Sequence, residues 1–91
     1  MHQETAQTMA LTALTYILSD DDLQARFLSL TGLSENEIRH RIEDSNFLAG
    51  ILDFLVSHEP DLLAFAENAN KKPEHIVSAW RKLGGGIGQE W

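Results

Sequence analysis

The sequence predicts an all-α fold, a compact orthogonal bundle of five or six short helices around a central apolar helix at about residues 46–58. Three observations carry this expectation. Apolar residues recur at three- and four-residue spacing along most of the chain. Capping residues, prolines and glycines stand where helix starts and stops are needed. No segment alternates apolar and polar residues for long enough to make a strand, and no internal repeat is visible.

The stretch Phe47-Leu48-Ala49-Gly50-Ile51-Leu52-Asp53-Phe54-Leu55-Val56 has the highest apolar density in the chain. On a helical wheel its large apolar residues cover an arc of roughly 200°, wider than the single stripe of a surface helix. Such a helix is nearly surrounded. Ala49, Gly50, Asp53 and Ser57 fall on the narrow remaining face, which places Asp53 in water. With 91 residues, 43% of them hydrophobic, the chain supports one core, and a stability of about 5–10 kcal/mol is expected. One domain over residues 1–83 is predicted, followed by a flexible glycine-rich tail at 84–91.

From the N-terminus, Ala6, Met9, Ala10, Ala13, Leu14 and Ile17 define an amphipathic helix over about 4–18, with Thr5, Thr8, Thr12 and Thr15 together on its solvated side. Ser19 is the expected N-cap of a second helix, and Asp20, Asp21 and Asp22 place negative charge at its positive end. The three carboxylates lack the alternation, central glycine and distal glutamate of a calcium loop. Leu23, Phe27 and Leu30 form the buried edge of this helix, which Gly32 ends, with Leu33 expected to contact Leu28 as in a Schellman motif. Ser34 and Glu37 have capping-box spacing, with Leu33 and Ile38 as the hydrophobic staple, so a short helix over about 35–43 follows. Asp44 or Ser45 caps the central helix. Pro60 and Pro73 fit first-turn positions of two further helices, lined by Leu62, Phe65, Ala66 and Ala69 and by Ile76, Ala79, Trp80 and Leu83. The predicted core is Ala10, Leu14, Ile17, Leu23, Phe27, Leu30, Ile38, Ile42, Phe47, Leu48, Ile51, Leu52, Leu55, Leu62, Phe65, Ile76, Trp80 and Leu83.

Three segments, Phe27-Leu28-Ser29-Leu30-Thr31-Gly32-Leu33, Phe47-Leu48 with Ile51-Leu52-Asp53-Phe54-Leu55, and Leu83-Gly84-Gly85, resemble a small all-helical bacterial domain-of-unknown-function family, mainly alphaproteobacterial. The resemblance spans most of the chain. It implies a cytoplasmic helical protein and carries no functional residues, since the shared positions are packing and capping residues.

The formal net charge is −7, which favours solubility and opposes non-specific contact with nucleic acid or anionic lipid. The charge is unevenly spread. Residues 1–70 hold twelve carboxylates against Arg26, Arg39 and Arg41, a net −9, while residues 71–91 hold Lys71, Lys72, Arg81 and Lys82 against Glu74 and Glu90, a net +2. With no cysteine there is no disulfide framework, thiolate metal site or thiol nucleophile, which suits a reducing cytoplasm. No basic segment precedes an apolar run at the N-terminus, and no run approaches the roughly 18 residues of a membrane span. The expectation is a cytoplasmic protein without membrane contact.

No catalytic constellation is found, and no cofactor or metal is expected. Glu37 and His40 share the i, i+3 spacing of a di-iron helix, but the second such pair and the further glutamates are missing. Gly84-Gly85-Gly86 follows a helix rather than opening one and so builds no phosphate cradle. The leading functional expectation is a small non-enzymatic domain that binds another protein or itself. Its candidate partner-facing residues are Lys71, Lys72, His75, Arg81 and Lys82, together with Trp91 beyond a glycine hinge. The alternative is DNA binding by a helix-turn-helix-like pair at about 60–83, with His75, Ser78, Arg81 and Lys82 turned outward and Lys71 and Lys72 on phosphates.

Overall fold

In the computed structural model, which describes residues 1–85, six helices follow one another: α1 (Gln3–Ser19), α2 (Asp21–Thr31), α3 (Glu35–Arg41), α4 (Ser45–Val56), α5 (Glu59–Asn68) and α6 (Pro73–Lys82). The all-α bundle expected from periodicity is therefore the architecture found. Among the described residues there is no strand.

Three helices form the centre. α1, α4 and α6 make the densest mutual contacts, and the other three pack around them. Ala6, Ala10 and Ala13 on α1 and Ala79 on α6 are completely buried, and side chains this small let helix backbones approach closely. Larger residues fill the space between them, with Ile17, Ile51, Leu52, Leu55, Phe65 and Ile76 all sealed from solvent. α4 is the apolar helix expected at 46–58, although it stops at Val56, two residues short of that range. It shares the central position with the 17-residue α1 instead of occupying it alone.

Local chemistry explains the helix ends. Asp20, not Ser19, caps α2, its Oδ1 accepting the Leu23 amide at 3.0 Å. Ser19 is the last residue of α1, and its hydroxyl donates to the Thr15 carbonyl at 2.6 Å. The capping box of α3 is complete: Ser34 Oγ accepts the Glu37 amide at 3.3 Å, and Glu37 Oε1 accepts the Ser34 amide at 3.1 Å. Asp44 caps α4 through the Asn46 amide at 2.8 Å. Pro73 opens α6, and Pro60 lies within the first turn of α5.

Left-handed residues close three helices. Gly32 has φ 69°, and its amide reaches the Leu28 carbonyl at 2.8 Å in the single-bond αL form. The Leu33 amide turns to Thr31 Oγ1 and does not complete the expected Schellman motif. True Schellman pairs stand elsewhere. Asn70 (φ 55°) donates to Glu67 while Lys71 donates to Ala66, and Gly84 (φ 103°) donates to Arg81 while Gly85 donates to Trp80. Gly84 and Gly85 thus belong to the cap of α6; the rest of the predicted tail, residues 86–91, lies outside the described residues.

The expected core is corrected at several positions. Leu30 is 76% exposed: it shares a helical face with Leu23 and Phe27, but at the last turn of α2 that face borders an open depression instead of the core. Ile42 is 39% exposed, since it follows the two-turn α3, which is attached to the bundle through the single buried residue Ile38. Phe47 and Trp80 are half-buried at the edge of the core, and a side chain at Gly85 would overlap the Trp80 indole. Ala49, expected on the solvent face of α4, is buried, whereas Gly50, Asp53 and Ser57 are exposed as expected.

Leu52→Ala should lower unfolding stability by about 2–5 kcal/mol, because it opens a cavity at the centre of the bundle. Leu30→Ala should change it by less than about 0.5 kcal/mol. Urea titrations of both variants measure the contrast, and equal losses would contradict the placement of Leu30 outside the core.

Candidate functional site

The clearest concentration of unlike chemistry outside the core lies where α2, the C-terminal half of α4 and the start of α5 meet. His58 is the N-cap residue of α5, and Asp61 stands three positions along in its first turn. His58 Nδ1 and Asp61 Oδ2 are 2.8 Å apart, and the same carboxylate oxygen accepts a hydrogen bond from Arg26 Nη2 on α2. Arg26 lies at the same time over the Phe54 ring of α4, its guanidinium carbon 5.3 Å from the ring centre. Phe54 meets Phe27 edge-on at 5.4 Å and 84°, and Phe27 meets Phe47 at 6.4 Å. Asp61 therefore holds Arg26 over Phe54 of α4, and three helices are fixed together by one chain of contacts.

Burial pushes the Asp61 carboxyl pKa up, but the hydrogen bonds and positive charges of Arg26 and His58 prevail and hold it below its ordinary value of 3.8. On the far side of Asp61, burial raises the Tyr16 phenol, and the carboxylates of Asp20 and Asp61 raise it further. Tyr16 packs on Phe65 at 5.2 Å.

Arg26, Leu30, Asp53, Phe54, Ser57, His58 and Asp61 line an open depression of about 290 Å³. Leu30 stands at its edge, the most exposed of the large apolar side chains among the described residues. Asp53, which also lines it, makes no ion pair or side-chain hydrogen bond among the described residues.

A larger groove of about 680 Å³ runs between α1 and α5 past Thr12, Thr15, Tyr16, Ser19, Asp20 and Asn68. Its threonine and serine hydroxyls are engaged within their own helix. Thr8, Thr12, Thr15 and Ser19 each donate to the carbonyl four residues earlier, so the threonine face is a ladder of local bonds.

The residues singled out from the sequence lie elsewhere. Lys71 and Lys72 occupy the turn before α6, and His75, Arg81 and Lys82 lie on its solvent side; all five are exposed and form no ion pair among the described residues. Arg81 and Lys82 sit in the last turn, where cations complement the helix dipole. Trp91 lies outside the described residues. His40 Nδ1 donates to the Asn36 carbonyl at 2.7 Å, and no three histidine, aspartate or glutamate side chains gather as metal ligands among the described residues. His58, expected at the end of the central helix, instead lies beyond it as the N-cap of α5.

The sequence reading missed the Arg26–Asp61–His58 cluster. The i, i+3 spacing of His58 and Asp61 around a proline was a visible signal, but nothing local announces that Arg26, 35 residues earlier, joins them.

Residues 3–86 match the family described as Protein of unknown function (DUF3572). The chain belongs to that family. No curated protein and no solved structure matches it. The segments that carry the sequence resemblance have physical roles in this DUF3572 member: Phe27, Phe47 and Phe54 form one aromatic cluster, and Gly32 and Gly84 close helices.

Because the Asp61 pKa is depressed in the folded state, its contribution to stability is fully present above 3.8 and is lost as pH falls through the lower folded value. Asp61→Asn should cost about 1 kcal/mol near neutral pH, the half-exposed Arg26 limiting the pair. The gap between wild type and variant should close in acid. Urea titrations at several pH values test this, and a gap independent of pH would refute it.

Proposed function

We propose that this protein is a non-enzymatic, cytoplasmic interaction module that engages another protein molecule through the depression between α2, α4 and α5. The observation that supports this most is Leu30, which projects into water beside the half-buried Phe54. A leucine in an order-preserving helix, next to an aromatic ring and an arginine already clamped in position, loses little freedom when a partner covers it. The Asp61 carboxylate, the His58 imidazole and the Arg26 guanidinium bind one another rather than converging on an open substrate position. No described helix is long and apolar enough to cross a membrane.

Tagged wild-type protein and Leu30→Asp should be used to capture partners from native lysate, with each sample split into nuclease-treated and untreated halves. The reading expects a discrete protein, either an untagged copy of this chain or another species, recovered equally from both halves by wild type and lost with Leu30→Asp. Capture that disappears with nuclease would overturn it.

A second reading, DNA binding by α5 and α6, draws on the five exposed cationic or histidine side chains from Lys71 to Lys82. Two features weigh against it. α6 packs chiefly on α1 and α4 and less on α5, so the pair lacks the close mutual packing of a helix-turn-helix unit. The net charge of −7 also repels a polyanion. If DNA is bound, changing Lys71, Lys72 and Arg81 together to Ala should flatten the salt dependence of affinity, because fewer counterions are released. An unchanged slope would exclude this face.

A further inference from the structure

We propose that the occupant of the α2–α4–α5 depression is a second copy of this chain, docked across a two-fold axis; this rests on the interaction-module reading above. In such an isologous contact the same patch meets itself, so every feature must find its complement on the same surface.

The patch meets that requirement in shape and in charge. Leu30 is a projection, and the 290 Å³ depression floored by Phe54 is the recess beside it. A two-fold operation places each Leu30 against the other copy's recess. The rim carries both signs. Arg26 gives Nη2 to Asp61 and keeps further guanidinium donors, while Asp53 is unpaired among the described residues. In the dimer, Arg26 of one copy faces Asp53 of the other, twice. A partner of uniform charge would satisfy one of these groups and repel the other.

The internal bonds add preorganisation. Asp61 fixes Arg26 over Phe54 before the partner arrives, so neither the cation nor the apolar floor must be ordered on docking. The patch is small, which makes it the centre of a weak, concentration-dependent interface rather than of an obligate dimer. The net charge of −7 on each copy opposes association at low salt, and physiological salt screens that repulsion beyond about 8 Å.

Sedimentation equilibrium of the purified full chain, from about 10 μM to about 1 mM at physiological salt, reads the association directly. The expected result is a mass rising from monomer toward dimer. Leu30→Asp should remain monomeric, and Asp53→Lys should weaken association about tenfold by setting Lys against Arg26 of the other copy. Both changes are at exposed positions, and unchanged circular dichroism and Tm confirm the fold. The two variants shift net charge in opposite directions, so a loss common to both is a property of the patch and not of overall repulsion.

A wild-type chain that stays monomeric throughout overturns the inference, as does a dimer indifferent to both substitutions. If the chain is monomeric yet captures a different protein in a Leu30-dependent way, the second-copy inference falls and the interaction-module reading stands. If neither association is found, both fall.

Discussion

The fold depends on the close approach of α1, α4 and α6, three helices drawn from the two ends and the middle of the chain. Ala6, Ala10 and Ala13 on α1 and Ala79 on α6 are completely buried, and their small side chains leave room for the large residues packed between the helices. Large residues at these positions would push the helices apart and strip contacts from Ile51, Leu52 and Leu55 together. Because the centre joins the N-terminal helix to the C-terminal one, no shorter part of the chain contains a whole core. The remaining helices are fastened to this centre at fewer points, α2 through Phe27 and Leu23, α5 through Phe65, and α3 through Ile38 alone.

Most of this was legible in the sequence because the signals are local. Helix starts are announced by side chains that bond to amides two or three residues away, and the capping box at Ser34 and the stop at Gly32 need no knowledge of tertiary structure. The misplaced cap at Ser19 shows the limit of such signals. Serine and aspartate stand side by side there, and the longer α1 claims the serine as its last residue, where it bonds backward. The core was legible to the extent that periodicity reveals direction. It identified which face of α2 points inward, but it could not say whether another helix lies at that level. Leu23 and Phe27 find neighbours, and Leu30, one turn on, finds water. Alanines were undervalued for the opposite reason. Their small size makes a weak hydrophobic signal, yet it is what allows helices to meet.

The candidate site was the least legible part because it is assembled across helices. Attention to the cations near the C-terminus followed a real compositional asymmetry, but charge counts along a chain do not say which groups are already paired. Arg26 is one of only three cations in the acidic first seventy residues, and the fold spends it on Asp61 and Phe54. Had Arg26 pointed outward as an ordinary helix-surface residue, Asp61 would keep only His58 as a side-chain partner, and Phe54 would lose its cation contact. The cation is thus explained by packing and electrostatics together.

The same packing bears on the meaning of Leu30. An apolar side chain left in water by chance has no reason to be surrounded by rigid groups, and isolated exposed leucines are ordinary on protein surfaces. Here the aromatic cluster fixes Phe54 from below, Asp61 fixes Arg26 from the side, and the left-handed Gly32 ends α2 two residues beyond Leu30, so that α2 presents this leucine at its final turn. Each constraint also serves the monomer, and none alone implies a partner. Their convergence on one depression is what separates Leu30 from Leu11, Ile42 and Leu63, which are less exposed and do not border that depression. A surface whose geometry is already determined by the core can bind without reorganising, and this links the interior of the bundle to the function proposed for its edge.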